Sequence, residues 1–350
     1  MAILTSRHSG KVTFTGLSTT DTITPSVDIT KSILYATYTI DDDTTKAQAI
    51  MCVLTNGTTV TFSRNTATGS VTVSWYVVEF SSGVAVQRGV NTDISGTTQN
   101  QALSPNVGLT TSFAIVSNEA PGSSFGDDDF MTHQITTVSN LAFSEFLSPA
   151  GGFDKAWQVV DYDNCSVQRN VDALTGATLN KTITAVTNIN KTVVNVAAKT
   201  SVADALMEPN LGSFSAKLTT TTNLEVTRIG TTLNMNMGWE VIEFTGGEII
   251  AEGDEAFTTT ETVRNVPLSP TVDLTKAVVF CSNYMTGGKS SYAVTDNYGT
   301  ARVFAEITAS NNLRLTRGLT GSSTLSVHWF IIQFDTGVVP STFTPRMMSY

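Results

Sequence analysis

Ser74-Trp75-Tyr-Val-Val-Glu79-Phe80, Ala156-Trp157-Gln-Val-Val-Asp161-Tyr162, Gly238-Trp239-Glu-Val-Ile-Glu243-Phe244 and His328-Trp329-Phe-Ile-Ile-Gln333-Phe334 hold all four tryptophans of this 350-residue chain. The tryptophans Trp75, Trp157, Trp239 and Trp329 stand 82, 82 and 90 residues apart. A second anchor precedes each by 11 or 12 residues, ending in Arg64, Glu145, Arg228 and Arg317. A third lies 50 to 59 residues upstream, at Pro25 to Lys31, Pro105 to Thr111, Ala185 to Lys191 and Pro270 to Lys276. Three anchors in one order, four times, with the length differences falling between them, mark a tandem array.

Within each repeat the apolar residues favour period two, as in Leu224-Glu-Val-Thr-Arg228, which predicts strands with one buried face. Asn56-Gly57, Gly69-Ser70, Ser82-Gly83, Gly151-Gly152, Gly246-Gly247 and Gly287-Gly288 supply hairpin chemistry, giving five to seven short strands per repeat. The 58 threonines add β propensity. Helix signals are confined to Ser201 to Glu208, one or two turns before Pro209. The expected fold is all-β, a tandem array of four small antiparallel β-sandwich units, with the Trp strand central in its sheet. The expected division is an N-terminal arm at 1–13, repeats at 14–89, 90–170, 171–253 and 254–337, and a C-terminal arm at 338–350.

Composition excludes several function classes. With 20 Lys+Arg against 30 Asp+Glu, a net charge of −10 and no basic cluster, the chain is not built to neutralise phosphates, so no nucleic-acid partner is expected. No stretch approaches the ~18 apolar residues of a membrane helix, so no membrane insertion is expected, and the N-terminal residues lack a signal-peptide core. The three histidines, His8, His133 and His328, are far apart. Cys52, Cys165 and Cys281 fall at non-matching repeat positions and read as buried, inert thiols.

Individual residues suggest modest roles. Arg64 with Glu79, and Arg228 with Glu243, recur together and are expected to form cross-strand ion pairs. The acidic triplets Asp41-Asp42-Asp43 and Asp127-Asp128-Asp129 occupy equivalent inter-anchor loops and are candidate Ca²⁺ ligands; no other cofactor is indicated. Tyr284 and Tyr292 are candidate contacts for a glycan or a protein partner. Glu145 with Asp161 is the one carboxylate pair the repeat alignment offers for glycoside hydrolysis. Phosphate-cradling glycine loops, metalloprotease helices and nucleophile elbows are absent from the sequence, and no enzyme is expected.

The Trp-x-Val-Val-Glu-Phe run followed by a glycine and Val-Gln-Arg, from Trp75 to Arg88 and echoed from Trp157 to Arg169, resembles repeats of virion proteins of tailed bacteriophages and prophages. Trp329-Phe-Ile-Ile is also similar to the last strand of the H-type lectin fold, whose sugar-binding residues find no match here. The phage resemblance implies a structural particle component of decoration, neck or tail-fibre type, located in the virion and homo-oligomeric with other virion proteins as partners. A carbohydrate-binding adhesin that recognises a host-surface glycan is the alternative.

Overall fold

A strand whose two edges are both paired must lie inside a sheet, and the Trp runs, the most apolar in the chain, take that position in every repeat. A computed structural model describes residues 1–41, 49–92, 97–119, 130–145, 154–200, 213–228, 234–285 and 298–337. Unit 1 comprises β1 (Ile3–Phe14), β2 (Ser18–Thr22), β3 (Ser32–Ile40), β4 (Met51–Asn56), β5 (Thr59–Ser63) and β6 (Val71–Ser82). Unit 2 comprises β7 (Val84–Asn91), β8 (Thr98–Ala102), β9 (Ser112–Glu119), β10 (Met131–Thr137), β11 (Asn140–Glu145) and β12 (Asp154–Tyr162). Unit 3 comprises β13 (Cys165–Leu174), β14 (Thr178–Thr182), β15 (Thr192–Thr200), β16 (Ser215–Thr220), β17 (Asn223–Thr227) and β18 (Met235–Phe244). Unit 4 comprises β19 (Ile249–Phe257), β20 (Val263–Pro267), β21 (Ala277–Met285), β22 (Val303–Ala309), β23 (Asn312–Arg317) and β24 (Leu325–Gln333), with one helical turn at Tyr298–Ala301.

Each unit is a sandwich of two three-stranded antiparallel sheets. The first, sixth and third strands form one sheet with the sixth, the Trp strand, in the middle; the second, fifth and fourth form the other around the fifth. The all-β array of four sandwich units stands as expected. The unit boundaries do not. Residues expected to be an N-terminal arm are β1, which pairs with β6 from Phe14↔Val71 to Gly10↔Trp75 and beyond. The strand after each Trp strand does not fold back as a hairpin either: β7 pairs with β12 and β13 with β18. The reason is edge occupancy. β6 already carries β1 on one edge and β3 on the other, so the chain leaving it at Gly83 (φ +73°) must begin the next unit. Ser82-Gly83 and Gly246-Gly247 are therefore crossings between units, whereas Asn56-Gly57 joins β4 to β5 as a true hairpin.

The Trp strands are buried on both faces, not one. In β6 the side chains of Val73, Trp75 and Val77 and those of Tyr76, Val78 and Phe80 are all sequestered. The first set faces the sandwich core, where Trp75 Nε1 donates to Asp21 of β2 at 2.9 Å. The second faces neighbouring units. The fourth strand of each unit packs on the third and sixth strands of the next: β4 on β9 and β12, β10 on β15 and β18, β16 on β21 and β24. Unit 4 repeats this on unit 1, β22 lying on β3 and β6, so the tandem array closes into a four-unit ring. A head-to-tail interface whose rotation closes gives a ring rather than a filament. At its centre the aromatic residue five positions after each Trp meets its neighbours: Phe80–Tyr162, Tyr162–Phe244, Phe244–Phe334 and Phe334–Phe80 have ring centroids 5.6, 5.4, 6.2 and 5.2 Å apart. All four pairs meet edge to face, a favoured aromatic geometry.

Candidate functional site

The polar residues at the repeat anchors serve the backbone. Arg64 is buried at the end of β5, where its guanidinium donates to the carbonyls of Gly16, Thr15, Thr68 and Gly69 at 2.8–2.9 Å. Arg228 reaches Gly176 and Leu174, and Arg317 reaches Glu261, Ser323 and Thr258, in the same way. Burial pulls the Arg228 pKa down to about 10. Glu79 accepts from the Asp28 amide at 2.7 Å, and Glu243 accepts from the amides of Thr187 and Asn188. The expected Arg64–Glu79 and Arg228–Glu243 ion pairs do not form, because arginine and acid sit in opposite sheets of the sandwich, each bound to a different loop. The two anchors correlate for another reason: the acid or amide four residues after each Trp holds the turn made by the third anchor, Asp161 accepting from Gly108 and Gln333 from Asp273.

Repeat two departs from this scheme. Glu145, in the Arg64 position, forms a buried ion pair with Lys155, while Asp161 binds Gly108 and Thr111 in the other sheet. The carboxylate pair considered for hydrolysis is thus not assembled. Asp41 caps the start of β6 by accepting from the Ser70 amide; Asp42, Asp43, Asp127, Asp128, Asp129, Tyr292 and the 338–350 arm lie outside the described residues. Among the described residues no three His, Cys, Asp or Glu side chains form a metal-sized group. The helix expected at 201–208 also lies outside them.

Sequence reading passed over the unit junctions. Arg88 Nη2 donates to the carbonyls of Ile29 and Ser32 in unit 1, Arg169 to those of Leu109 and Ser112 in unit 2, and Arg7 to that of Ala277 in unit 4. Three of the four junctions therefore share one arginine clasp, the ring-closing junction included. Beside it, the residue after three of the four Trp residues crosses to a neighbour. Gln158 accepts from the Leu34 amide and donates to its carbonyl, both at 3.0 Å; Glu240 accepts from Ala114 at 3.0 Å; Tyr76 Oη accepts from Ile307 at 3.0 Å. Burial raises the Glu240 pKa, against the pull of Arg169 at 3.2 Å. Polar residues inside an otherwise apolar Trp run were the available signal.

A third element is a hydroxyl latch. The amides of Cys52, Ala216 and Ala305 donate to Ser117, Ser282 and Thr37 of the following unit at 2.9, 3.2 and 2.9 Å. At the junction of units 2 and 3 the equivalent residues are His133 and Ala197, which carries no hydroxyl. Burial depresses the His133 pKa to about 4, so the ring is neutral at pH 7. Burial also pushes the Cys52 and Cys281 thiols up to about 12, leaving them protonated.

Two chambers lie along the ring axis, and every unit contributes to each. The inner, about 140 Å³, is walled by Phe113, Ile115, Val193, Ile242, Phe280 and Ile332, with Tyr35 and Asn195. The outer, about 300 Å³, carries Tyr38, Asn118, His133, Phe130 and Arg302 and shares Ala36 and Asn195 with the inner one. A separate recess of about 280 Å³ at the junction of units 3 and 4 is polar: Lys217 binds Asp254 at 2.7 Å beside Glu225, Tyr284 and Ser326. No protein-family model matches the chain, and no curated protein does either. Among the described residues no helix is long and apolar enough to cross a membrane.

Proposed function

We propose that the protein is a non-enzymatic structural component of a bacteriophage particle, a decoration, neck or tail-fibre type protein that acts within the virion and associates with copies of itself and with other virion proteins. The observation that supports this reading is the use of its polar side chains. The buried arginines, the acids after the Trp residues and the junction hydroxyls are spent on backbone groups that fix sandwich turns and close the ring. A catalyst holds titratable groups convergent on a cavity with shifted pKa values; here the shifted groups support the frame. Peptide mass spectrometry of purified particles from a producing host tests the proposal. Recovery of the chain in fixed stoichiometry with the other particle proteins is expected, and its absence from the particles overturns the reading. Deleting residues 338–350 is expected to block incorporation while leaving the ring folded.

A second reading, a carbohydrate-binding adhesin, is favoured by one observation. Tyr284 stands in the recess between units 3 and 4 beside Lys217, Asp254, Glu225 and Ser326, an aromatic platform ringed by donors and acceptors. Glycan-array binding that disappears in Tyr284→Ala selects this reading over the first; an empty array removes it.

A further inference from the structure

Arg88, Arg169 and Arg7 clasp three junctions, but their charges are met differently. Arg169 has a carboxylate, its Nε lying 3.2 Å from Glu240. Arg7 lies over the Tyr76 ring, 4.7 Å from the centroid, so a ring face meets its charge. Arg88 has neither. The residue in the Glu240 position is Gln158, and every partner of Arg88 is a described neutral group. Nη2 donates to the carbonyls of Ile29 and Ser32, and Nη1 lies 3.4 Å from the Gln158 amide oxygen. Its Nε is sequestered and has no acceptor, and burial alone pulls its pKa down to about 10. A half-buried cation with an orphaned N–H is costly until an anion meets it.

The surface beside Arg88 is shaped to receive one. A groove of about 230 Å³ runs along the junction of units 1 and 2, lined by Ile29, Cys52, Val53, Val90 and Ala156. Arg88 and Gln158, paired across β7 and β12, stand at one end, and Val90 and Ala156 at the other. At two other junctions the positions of Val53 and Val90 are filled by the ion pairs Lys11–Glu306 and Lys217–Asp254. Here the valines leave the groove open, with Val90 41% exposed, and among the described residues no carboxylate lines it. We propose that this groove binds a small organic carboxylate, its oxygens meeting the Arg88 guanidinium and its alkyl chain lying along Val53 and Val90. The ligand supplies to Arg88 the counter-charge that Glu240 supplies to Arg169. The proposal concerns this junction alone and is independent of where the protein acts.

Calorimetric titration of the full chain with acetate, hexanoate and hexan-1-ol in chloride-free buffer tests this. Affinity is expected to tighten from acetate to hexanoate as methylenes enter the groove. Hexanoate should be favoured over hexan-1-ol by about tenfold or more, a charge-assisted hydrogen bond being stronger than a neutral one. Gln158→Glu places a carboxylate where unit 3 has Glu240, and Val90→Glu tethers one two residues from Arg88 on the same face of β7. Each should weaken hexanoate binding by about tenfold or more through like-charge competition, with circular dichroism checking that each variant folds. Any of three results overturns the proposal: no binding of hexanoate at millimolar concentration, hexan-1-ol binding as well as hexanoate, or hexanoate binding unchanged in folded Gln158→Glu and Val90→Glu.

Discussion

At the scale of single residues, the tryptophans impose a demand on the strand beside them. Gly10, Gly89 and Gly253 stand opposite Trp75, Trp157 and Trp329, and a Cβ at each would lie 2.6–2.7 Å from the indole Cζ2. Indole is large and fixed by the core, so the glycine strand must yield. Gly89→Ala is expected to cost about 1–3 kcal/mol, as overpacking does, read as a lower urea midpoint at unchanged m-value. His133 makes a second demand, one that depends on pH. Its folded pKa, about 4, lies below the ~6.5 of a free imidazole, so the unfolded chain binds the extra proton between those values. Its contribution is complete above pH 6.5 and falls by about 3 kcal/mol on acidification to pH 4. His328 has the opposite sign. Burial works against its charge, but Asp254 at 2.9 Å and Glu252 at 3.3 Å outweigh it and raise the pKa, so its contribution is present in acid and lost as pH rises through that value. His133→Ala combined with Ala197→Ser, which rebuilds the latch of the other junctions, is expected to flatten the His133 component. Urea titrations at pH 4.5 and 7 check it; an unchanged difference between the two would count against the assignment.

Between elements, the informative comparison is one junction with another. Lys11 of β1 pairs with Glu306 of β22 at 3.1 Å, and Lys217 of β16 pairs with Asp254 of β19 at 2.7 Å. Lys11 and Asp254 follow the glycines opposite Trp75 and Trp329, while Glu306 and Lys217 are equivalent in the fourth strands, so the two junctions use the same positions with reversed polarity. At the junction of units 1 and 2 both positions are apolar, Val53 and Val90. Closing unit 3 directly on unit 1 would oppose Lys217 to Lys11, which penalises a three-unit ring. Such pairs are half exposed and contribute only ~0.2–1 kcal/mol each. The arginine clasp matters more, since removing it strands the carbonyls of Ser32 and Ser112, both buried residues. Arg88→Met and Arg169→Met are expected to cost about 2–3 kcal/mol each, with Lys11→Glu near or below 1, all measured by denaturant unfolding. The strands themselves were legible in the sequence because Trp runs, hairpin dipeptides and period two are local signals. The place of β1 was not, because Gly10 meets Trp75 across most of a unit and the apolar pattern of β1 is thin, one face of an edge strand being wet. Arg64 and Glu79 were likewise singled out by recurrence, but recurrence does not say which sheet each side chain serves.

For the whole molecule, closure changes how stability is distributed. In an open array each terminal unit has one neighbour and unfolds first, with stability summing along a line. Here unit 4 docks on unit 1, the Leu4 amide donates to the Asp335 carbonyl at 2.8 Å, and Phe334 sits edge to face with both Phe80 and Phe244. The last aromatic of the chain is thus as central as the first. Phe334→Ala is expected to cost about 3–5 kcal/mol, as buried Phe truncations do, and to match Phe80→Ala within about 1 kcal/mol. Calorimetry should show one transition for the intact chain, with calorimetric and van't Hoff enthalpies in agreement. An early, separate melting of unit 4, or a Phe334→Ala cost well below that of Phe80→Ala, would indicate an open array. The sequence alone could not distinguish these outcomes, since a head-to-tail interface reads the same whether it opens into a filament or closes. Closure depends on the angle between successive units, which no single repeat encodes, and it creates the axial chambers that no single unit contains.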